Sequence, residues 1–328
     1  MGGIMKYSIG LFSAVMSALA LMLLVAGPAR AQASRTWVSG VGDDANPCSR
    51  TAPCKTFPGA ISKTALNGEI NCLDPGGFGT VTITKSITID CHEVFASILN
   101  AGINGINISF DNFTSPGEVR KTVRLRNINF NGFDSGLGGI RIFGGTSSAN
   151  STVVVEDCMI DGNFGSLARG IDDTRSGGGR LIVTNTTIRN NGGGGVSVFP
   201  SSGSTNIQVL LNDVRSYHNG TGAQFGAGVR AMIDRSAFAG NSGGGVRAET
   251  GAIVNVTRSV ISHNADGLAA AGGSITISNN DIAFNTSSGI SVIGGTVNSF
   301  GNNRISNNAS PGTVPSLIGG TSNPTGQQ

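Results

Sequence analysis

The sequence is poor in charged and aromatic side chains. Only 12% of its 328 residues are Asp, Glu, Lys or Arg, and it has one Trp, two Tyr and three His. This composition offers no basic stripe with interleaved aromatic rings, which excludes nucleic acid as the main partner. No Cys and His residues have the spacing of a zinc site, so we predict no metal centre of that kind.

Glycine, by contrast, is abundant, with 51 residues. Together with the low charge, this is unlike a helix-rich globule or a charged disordered chain, and it indicates a repetitive fold. A leucine-rich repeat is excluded because no L-x-x-L-x-L frame recurs, and a calcium-binding nonapeptide repeat is excluded because no run of G-G-x-G-x-D-x-U-x occurs.

The N-terminal segment has the pattern of a secretory signal peptide. Lys6 precedes an apolar run from Ile9 to Ala26, and the sites Ala29-Arg30-Ala31 and Ala31-Gln32-Ala33 follow Pro28. We predict a bacterial-type signal peptide over residues 1–33, cleaved after Ala31 or Ala33, and hence a secreted protein, periplasmic or extracellular. The alternative is an uncleaved anchor, since the run approaches spanning length; no later segment is apolar enough to cross a bilayer. Cleavage would leave 20 basic and 19 acidic residues, a formal charge of +1.

Five cysteines in an exported chain predict two disulfides and one free thiol. We pair Cys48 with Cys54, which closes a short loop, and Cys72 with Cys91, which are separated by about one turn of the repeat described next. The alternative is that they remain reduced or pair differently. Cys158 stands beside apolar neighbours and is predicted to be a buried small hydrophobic residue.

An asparagine recurs at steps of 28, 28, 22, 23, 21 and 23 residues. An apolar residue stands three positions before most of these asparagines, with Ser216 as the exception, and Gly plus an aliphatic residue soon follows most of them. A repeat of about 21–28 residues with short β-rich pieces predicts a solenoid. Stacked amides would then form a structural ladder along its axis. The ladder residues are Asn163, Asn191, Asn219, Asn241, Asn264, Asn285 and Asn308.

The segment "LIVTNTTIRNNGGGGVSVF", residues 181–199, contains one complete coil. We interpret LIVT, TIR and VSVF as three strands. The four glycines, Gly192 to Gly195, are interpreted as a corner, because glycine adopts left-handed backbone angles at little cost.

The front of the mature chain has motifs of its own. A short helix is predicted around Phe57 to Ala65, with Pro58 tolerated in its first turn. The motifs W-V-S, G-x-D-D-A-N-P-C, A-P-C-K-T-F, P-G-G-F-G and I-T-I-D-C resemble the opening of secreted bacterial right-handed parallel β-helix proteins of the pectate-lyase-like superfamily. The resemblance, which covers essentially the whole mature chain, implies an all-β solenoid of three-strand coils over residues 69–310 with an N-terminal capping segment over 34–68. The Gly/Ser/Thr/Pro-rich tail, 311–328, is predicted to be disordered.

For enzymes, the resemblance implies acidic polysaccharide substrates, calcium held by carboxylates, and an Arg or Lys base or paired Asp residues. The hydrolase motifs are absent apart from an Asp-Asp pair, so no catalytic residue is carried over from the family. The sequence "IDDTR" leaves Asp172, Asp173 and Arg175 as candidates for an acid/base or calcium site, with a polar turn as the alternative.

In the strand after each glycine corner, alternate side chains point outward. Stacking of the coils then predicts columns of equivalent side chains, a strip in which neighbours lie about 4.8 Å apart. Arginine forks match carboxylates, and phenylalanine rings stack on sugars, so this strip is a candidate for binding uronate chains. The alternative is a solvated face whose ion pairs contribute about 0–1 kcal/mol each. The ligand-binding candidates are Arg141, Asp172, Arg230, Arg247, Glu249, Phe143 and Phe199.

Three functions remain open from the sequence. The first is a secreted or envelope-associated protein that binds polysaccharide or another cell-surface component without catalysis or cofactor, favoured by the missing catalytic motifs. The second is a polysaccharide lyase or glycoside hydrolase, with calcium if it is a lyase. The third is a structural or adhesive spacer.

Overall fold

The computed structural model describes residues 32–113, 118, 121–201 and 206–318. Residues 1–31, most of the predicted signal peptide, lie outside the described residues. From Ala33 onward the described chain forms one compact unit. It winds as a right-handed parallel β-helix, as the sequence predicts, and successive coils pair in parallel.

Each complete coil crosses three faces in turn, which we call faces 1, 2 and 3. Face 1 contains β1 (Ala33–Val38), β2 (Thr64–Cys72), β5 (Ile87–Asp90), β8 (Thr122–Arg126), β11 (Thr152–Glu156), the first part of β14 (Gly179–Arg189), the first part of β16 (Ile207–Tyr217), β18 (Val229–Asp234), β21 (Ile253–Thr257), β24 (Ser274–Ser278), β27 (Thr296–Ser299) and β29 (Ser316–Leu317).

Face 2 contains β3 (Gly76–Gly77), β6 (Ala96–Leu99), β9 (Ile128–Gly136), β12 (Met159–Asn163), the second parts of β14 and β16, β19 (Ala237–Ala239), β22 (Val260–Ser262), β25 (Asp281–Ala283) and β28 (Arg304–Ser306). Face 3 is a nine-stranded sheet of β4 (Val81–Ile83), β7 (Asn104–Ser109), β10 (Gly138–Phe143), β13 (Arg169–Asp173), β15 (Gly194–Val198), β17 (Ala223–Phe225), β20 (Gly244–Glu249), β23 (Asp266–Ala271) and β26 (Ser288–Val292).

The core is a stack of aliphatic side chains from all three faces. The apolar residues that precede the ladder asparagines by three positions point inward and are buried in most coils, as at Ile160, Ile188 and Phe238. Ser216 fits the same place because its hydroxyl donates to the carbonyl of Gly222 at 2.8 Å and accepts from the side-chain amide of Asn219 at 3.0 Å. Its polar group is therefore satisfied inside the core.

The corners are made by left-handed residues that are mostly not glycine. Between faces 1 and 2, φ lies between +45° and +55° at Asn127, Asp157, Asn185, Asp213, Arg235, Arg258 and Asn279. Between faces 2 and 3, the residue before each ladder asparagine is left-handed as well, as at Asn190 and His218. Asn and Asp tolerate this region because their short side chains bond locally.

The glycine run at 192–195 is therefore not a left-handed corner, and our interpretation of it was wrong. These residues are needed for close approach: a Cβ on Gly195 would lie 2.3 Å from the hydroxyl of Ser216 and 2.5 Å from the carbonyl of Gly222. A Cβ on Gly192 would lie 2.6 Å from the carbonyl of Gly165. Glycine at these positions therefore allows neighbouring coils to pack in direct contact.

The seven recurring asparagines stack as one ladder of side-chain amides. Nδ2 of each asparagine except the last, Asn308, donates to Oδ1 of the asparagine one coil further on, at 2.6 Å from Asn163 to Asn191 and 2.8 Å from Asn241 to Asn264. Within this ladder, the backbone N–H of Asn191 also donates to the next Oδ1, that of Asn219. Buried amides that satisfy one another in this way define the register of the coils.

The N-terminal cap is the helix α1 (Phe57–Lys63), close to its predicted bounds. Thr56 caps it by accepting from the N–H of Gly59 at 3.1 Å, and its Phe57 and Ala60 side chains are buried. The segment predicted as a cap also contributes strand β1, which pairs with β2. Two short 3-10 helices, Phe110–Asn112 and Thr146–Ser148, lie in loops. Among the residues that the structure describes, no helix is long and apolar enough to cross a bilayer.

The C-terminal tail departs from the prediction over residues 311–318. Gly312 bridges to Ile290, and β29 adds a strand beside β27. The last coil presents unpaired backbone groups, and even a Gly/Ser/Pro-rich segment satisfies them by adding a strand. Residues 319–328 lie outside the described part.

The cysteines pair as expected, Cys48 with Cys54 and Cys72 with Cys91. Cys158 is free, with 4% of its surface exposed. Burial raises the pKa of its thiol to about 12, so it is not a reactive nucleophile.

Candidate ligand-binding face

The outer side of face 3 carries one column of in-register side chains, one per coil. The members of the column are Thr82, Asn107, Arg141, Asp172, Ser197, Gln224, Arg247, Ala269 and Ser291. A parallel sheet spaces such neighbours about 4.8 Å apart.

Arg230 does not belong to this column, contrary to the sequence prediction. It lies in β18 on face 1, in register with Gln208 and Ile253. Its expected position is taken by Gln224, because the strand of that coil begins at Gly222-Ala223 rather than at Gly228-Val229. The search for Gly plus a large aliphatic residue missed this site, since Ala223 fills the core position. A pair of stacked arginines at Arg230 and Arg247 therefore does not form.

Arg141 and Asp172 are neighbours in the column, but each has other contacts. The Asp172 carboxylate pairs with the guanidinium of Arg169 at 2.8 Å, both side chains being largely shielded. Nε of Arg169 is buried and has no hydrogen-bond partner among the described residues. Arg141 is exposed, lies 5.1 Å from the ring centre of Phe143, and pairs with no carboxylate in the described part of the chain.

Further along the face, Arg247 pairs with Glu249, whose Oε1 lies 2.5 Å from Nε. Glu249 stands in the second outward column, together with Phe143 and Phe199. Phe199 is half-buried and packs on the next coil, since a Cβ on Gly226 would lie 2.6 Å from its ring. Phe199 therefore contributes more to coil stacking than to a ligand surface.

The three "IDDTR" candidates do not converge. Asp172 and Asp173 point to opposite sides of β13, as adjacent strand residues must. Asp173 and Arg175 are fully buried and form a bidentate pair, at 2.6 Å and 2.9 Å. Arg175 also donates to the hydroxyl of Ser151 at 2.7 Å and the carbonyl of Arg180 at 3.2 Å. A ligand on the surface reaches neither residue.

These carboxylates do not fit a calcium ion either, since a calcium shell needs six or more converging oxygens. Among residues 32–318 as described, no three His, Cys, Asp or Glu side chains are grouped so as to hold a metal ion.

The sequence reasoning missed an apolar rim beside face 3. Five large side chains stand exposed on the segments that lead into β7, β10 and β13. Phe133 (73%) lies near the end of β9, and the other four lie on turns: Ile103 (49%), Leu137 (58%), Phe164 (72%) and Leu167 (77%). The turns are bonded to one another, for example from the N–H of Leu137 to the carbonyl of Ile103 at 3.0 Å. The sequence signal that could have revealed this rim is the length of these segments, because they insert apolar residues that later coils lack.

The rim borders the same coils that carry Asn107, Arg141 and Asp172. This part of face 3 therefore combines a free guanidinium, a partly shielded ion pair and amide groups with a wall of exposed apolar side chains. Such a combination of apolar surface and a few polar groups is typical of ligand-binding sites.

Comparison with known proteins supports the fold. Residues 219–325 match the family model described as "Right handed beta helix region". The structure is similar to the mannuronan C-5 epimerase AlgE4 A-module of Azotobacter vinelandii, with a TM-score of 0.56 and 16% identity over 80% of this chain and 76% of that one. It is also similar to the pectate lyase Pel9A, with a TM-score of 0.51 and 17% identity over 90% of this chain and 81% of that one. No curated protein matches by sequence. At these identities the likeness shows the fold alone.

Proposed function

We propose that this protein is exported and binds a polysaccharide along face 3 without cleaving it. The observation that carries the proposal is the column of polar side chains Asn107, Arg141, Asp172 and Gln224, continued by Arg247, beside the apolar rim. Ser197 of the same column is buried and accepts from the side-chain amide of Gln224, so it positions Gln224 rather than a ligand. A linear polymer is the ligand that suits a rigid row of contacts repeated at every coil.

The charges favour an anionic polysaccharide. Arg141 has no carboxylate partner among the described residues, and its planar fork matches a carboxylate. The neighbouring Asp172 is already neutralised by Arg169. Apolar side chains of the rim, such as Leu137 and Phe164, supply surface for the apolar sides of sugar rings.

Binding without catalysis is favoured because the candidate carboxylates are paired or buried. The carboxylates of Asp172 and Glu249 are held by arginines, and Asp173 is buried. A glycoside hydrolase needs two carboxyl groups that flank one bond, at roughly 5–10 Å from each other. Face 3 brings forward no such pair from the candidate residues.

A polysaccharide lyase or related enzyme is the second candidate. Two structures of similar fold are a mannuronan epimerase and a pectate lyase, both named for action on polysaccharides. The exposed Arg141 beside Asp172 is the pair that an enzyme of this kind would use. Export is supported by the two disulfides, which form in oxidising compartments.

The test is a binding and turnover screen of the purified protein. Pectate, alginate and a neutral glucan are offered with and without Ca²⁺, and thermal shift, affinity electrophoresis, reducing ends and the absorbance of unsaturated products are followed. We expect retention on an anionic polysaccharide without product. The double variant Arg141→Ala with Arg247→Ala should lose it, while Arg189→Ala, which removes an exposed arginine on face 2, should not.

Product that disappears in Arg141→Ala or Asp172→Ala would replace the proposal by the enzymatic one. Absence of both binding and turnover with every polysaccharide would reject both and leave the structural spacer.

A further inference from the structure

The outer side of face 2 has a hollow among its first coils, away from the face 3 column. Phe95, just before β6, and Leu99, at the end of β6, are 60% and 61% exposed, and the small Ser97 lies between them on the same side of the chain. One coil earlier, Gly77 stands in register with Ser97 and adds no side chain. The apolar walls enclose about 320 Å³, a size typical of small-molecule sites. We call this cavity the face 2 hollow.

Two asparagines of the next coil complete the hollow. Asn129 lies in register with Ser97, and Asn131 with Leu99. Among the described residues, the side-chain amide of Asn129 has no hydrogen-bond partner, and Asn131 uses only its Oδ1, which accepts from the N–H of Phe133 at 2.9 Å. Each side-chain amide can both donate and accept. The hollow therefore combines apolar walls with unused polar groups of both kinds.

The hollow offers no unpaired charge. Asp161 is the one ionisable side chain that lines it within the described part of the chain. Oδ2 of Asp161 accepts from Nε and Nη2 of Arg189 at 3.0 Å and 2.9 Å, and Oδ1 accepts from the side-chain amide of Asn190 at 2.8 Å. The carboxylate is thus neutralised from outside the hollow, which favours a neutral ligand over an ion.

We propose that the face 2 hollow binds a neutral pyranose unit of a glycan. The ring of Phe95 and the side chain of Leu99 would cover the apolar side of the sugar. Sugar hydroxyls donate and accept, as the amides of Asn129 and Asn131 do, so each amide finds a match. The site is separate from face 3 and does not depend on what binds there.

A second cavity extends the site, because it shares Met159 with the hollow. This more open cavity, of about 490 Å³, is lined in part by Asp157, Asn185 and Arg215. The amide of Asn185 donates to Asp157 at 2.8 Å, and Arg215 pairs with Asp213 at 2.9 Å. Its polar groups are therefore also paired, and they suit the hydroxyls of the next sugar. The ligand thus comprises at least two linked units.

The same groups disfavour other occupants. An apolar side chain of a partner protein would leave the amides of Asn129 and Asn131 without partners, at a cost in binding. A uronate would find no free guanidinium, because Arg189 is held by Asp161. A metal ion would find one carboxylate where several oxygens are needed.

The experiment is NMR titration of the ¹⁵N-labelled protein with oligosaccharides of glucose, mannose, galactose, xylose and N-acetylglucosamine, and with oligogalacturonate as the anionic comparison. The side-chain amide signals of Asn129 and Asn131 are assigned by their loss in Asn129→Asp and Asn131→Asp. We expect a neutral oligosaccharide to shift both signals. No shift with any neutral sugar, or a stronger response to oligogalacturonate, would overturn the proposal.

Variants of the hollow test the contacts. Phe95→Ala should weaken binding of the neutral oligosaccharide about tenfold, and Ser97→Leu, which fills the floor, should abolish it. The matched control is Phe284→Ala, because Phe284 is 52% exposed directly after β25, far along the solenoid from the hollow. Binding that persists in Ser97→Leu would place the sugar elsewhere and overturn the assignment. Melting curves confirm that each variant is folded.

Asn129→Leu separates a sugar from an apolar partner, since it keeps the size of the side chain and removes its polar groups. A sugar should bind this variant about tenfold more weakly, whereas tighter binding would show that the hollow is an apolar site. Phe95→Ala should leave retention on an anionic polysaccharide unchanged, because Phe95 lies on face 2. Failure of this inference and failure of the proposed function are therefore distinguishable.

Discussion

Nδ2 of Asn100 lies 2.7 Å from Oδ1 of Asn163, although 63 residues separate them and the coil between them has a glycine, Gly136, at the ladder position. The two amides meet across Gly136, which pairs with Asn163 in the register of face 2. Asn100 thereby extends the ladder beyond the seven asparagines that the sequence period identifies.

A first prediction concerns Gly136, the glycine between Asn100 and Asn163. A Cβ on Gly136 would lie 2.3 Å from Oδ1 of Asn163 and 2.6 Å from Nδ2 of Asn100. Gly136→Ala should therefore destabilise the protein by about 1–3 kcal/mol, the usual cost of overpacking. Urea denaturation measures this, with Gly77→Ala as control, since its Cβ would approach only Ser97, at 3.6 Å. Equal stability of the two variants would contradict the prediction, since it would show that the space at Gly136 accommodates a methyl group.

The middle of the ladder offers a second prediction. Asn241 accepts from Asn219 and donates to Asn264 and to the carbonyl of Ser216, all while buried. Asn241→Ala should cost about 2–4 kcal/mol, because it opens a cavity and leaves buried groups unpaired. Asn255→Ala, on the exposed side of face 1, should change the unfolding free energy by less than about 0.5 kcal/mol. A similar loss in both variants would contradict a special role for the ladder.

A third prediction concerns the buried ion pair of Asp173 and Arg175. Arg175→Met should cost about 3–5 kcal/mol, since it leaves a buried carboxylate without its cation. The double variant Asp173→Val with Arg175→Met should recover most of that loss, because position 173 lies in register with the core residues Ile142 and Val198. Chemical denaturation of the single and double variants provides the comparison. A double variant no more stable than the single one would mean that the pair fixes the loop as well as neutralising charge.

A fourth prediction concerns acid stability. Hydrogen bonds from Arg258 lower the pKa of Asp234 below its ordinary value. Because the folded pKa is below the unfolded one, this contribution is complete above the unfolded pKa of about 3.9 and is lost as the pH falls through the folded value. Arg258→Gln should therefore reduce stability at neutral pH but have little effect at about pH 2. Melting temperatures of both proteins across this range would show whether the difference disappears; a constant difference would exclude the charge as its cause.

Much of the fold was accessible from the sequence because the determinants of a solenoid are local and repeated. The period of the asparagines, the apolar residue three positions earlier and the pairing of four cysteines each depend on residues within about one coil of each other. These features predicted the coil and the ladder register. The helix around Phe57 was predicted from its own segment, and its capping role was implied by the family resemblance.

The surface was predicted less well, because it depends on the register between coils. Gln224, not Arg230, lies in the column of face 3, because the small residue Ala223 takes the core position at which neighbouring coils have a valine. The burial of Asp173 with Arg175 likewise required knowledge of the side of β13 on which each residue points.

What the sequence by itself determined is the repeating unit, since hydrophobic periodicity and recurrent Asn and Gly act within each coil. What only the tertiary structure decided is which side chains of different coils meet: Asn100 with Asn163, Ser151 with Arg175, and Ser197 with Gln224. Those contacts arise from stacking across loops of unequal length, and a shift of one residue in a strand would send every side chain to the other side of the sheet.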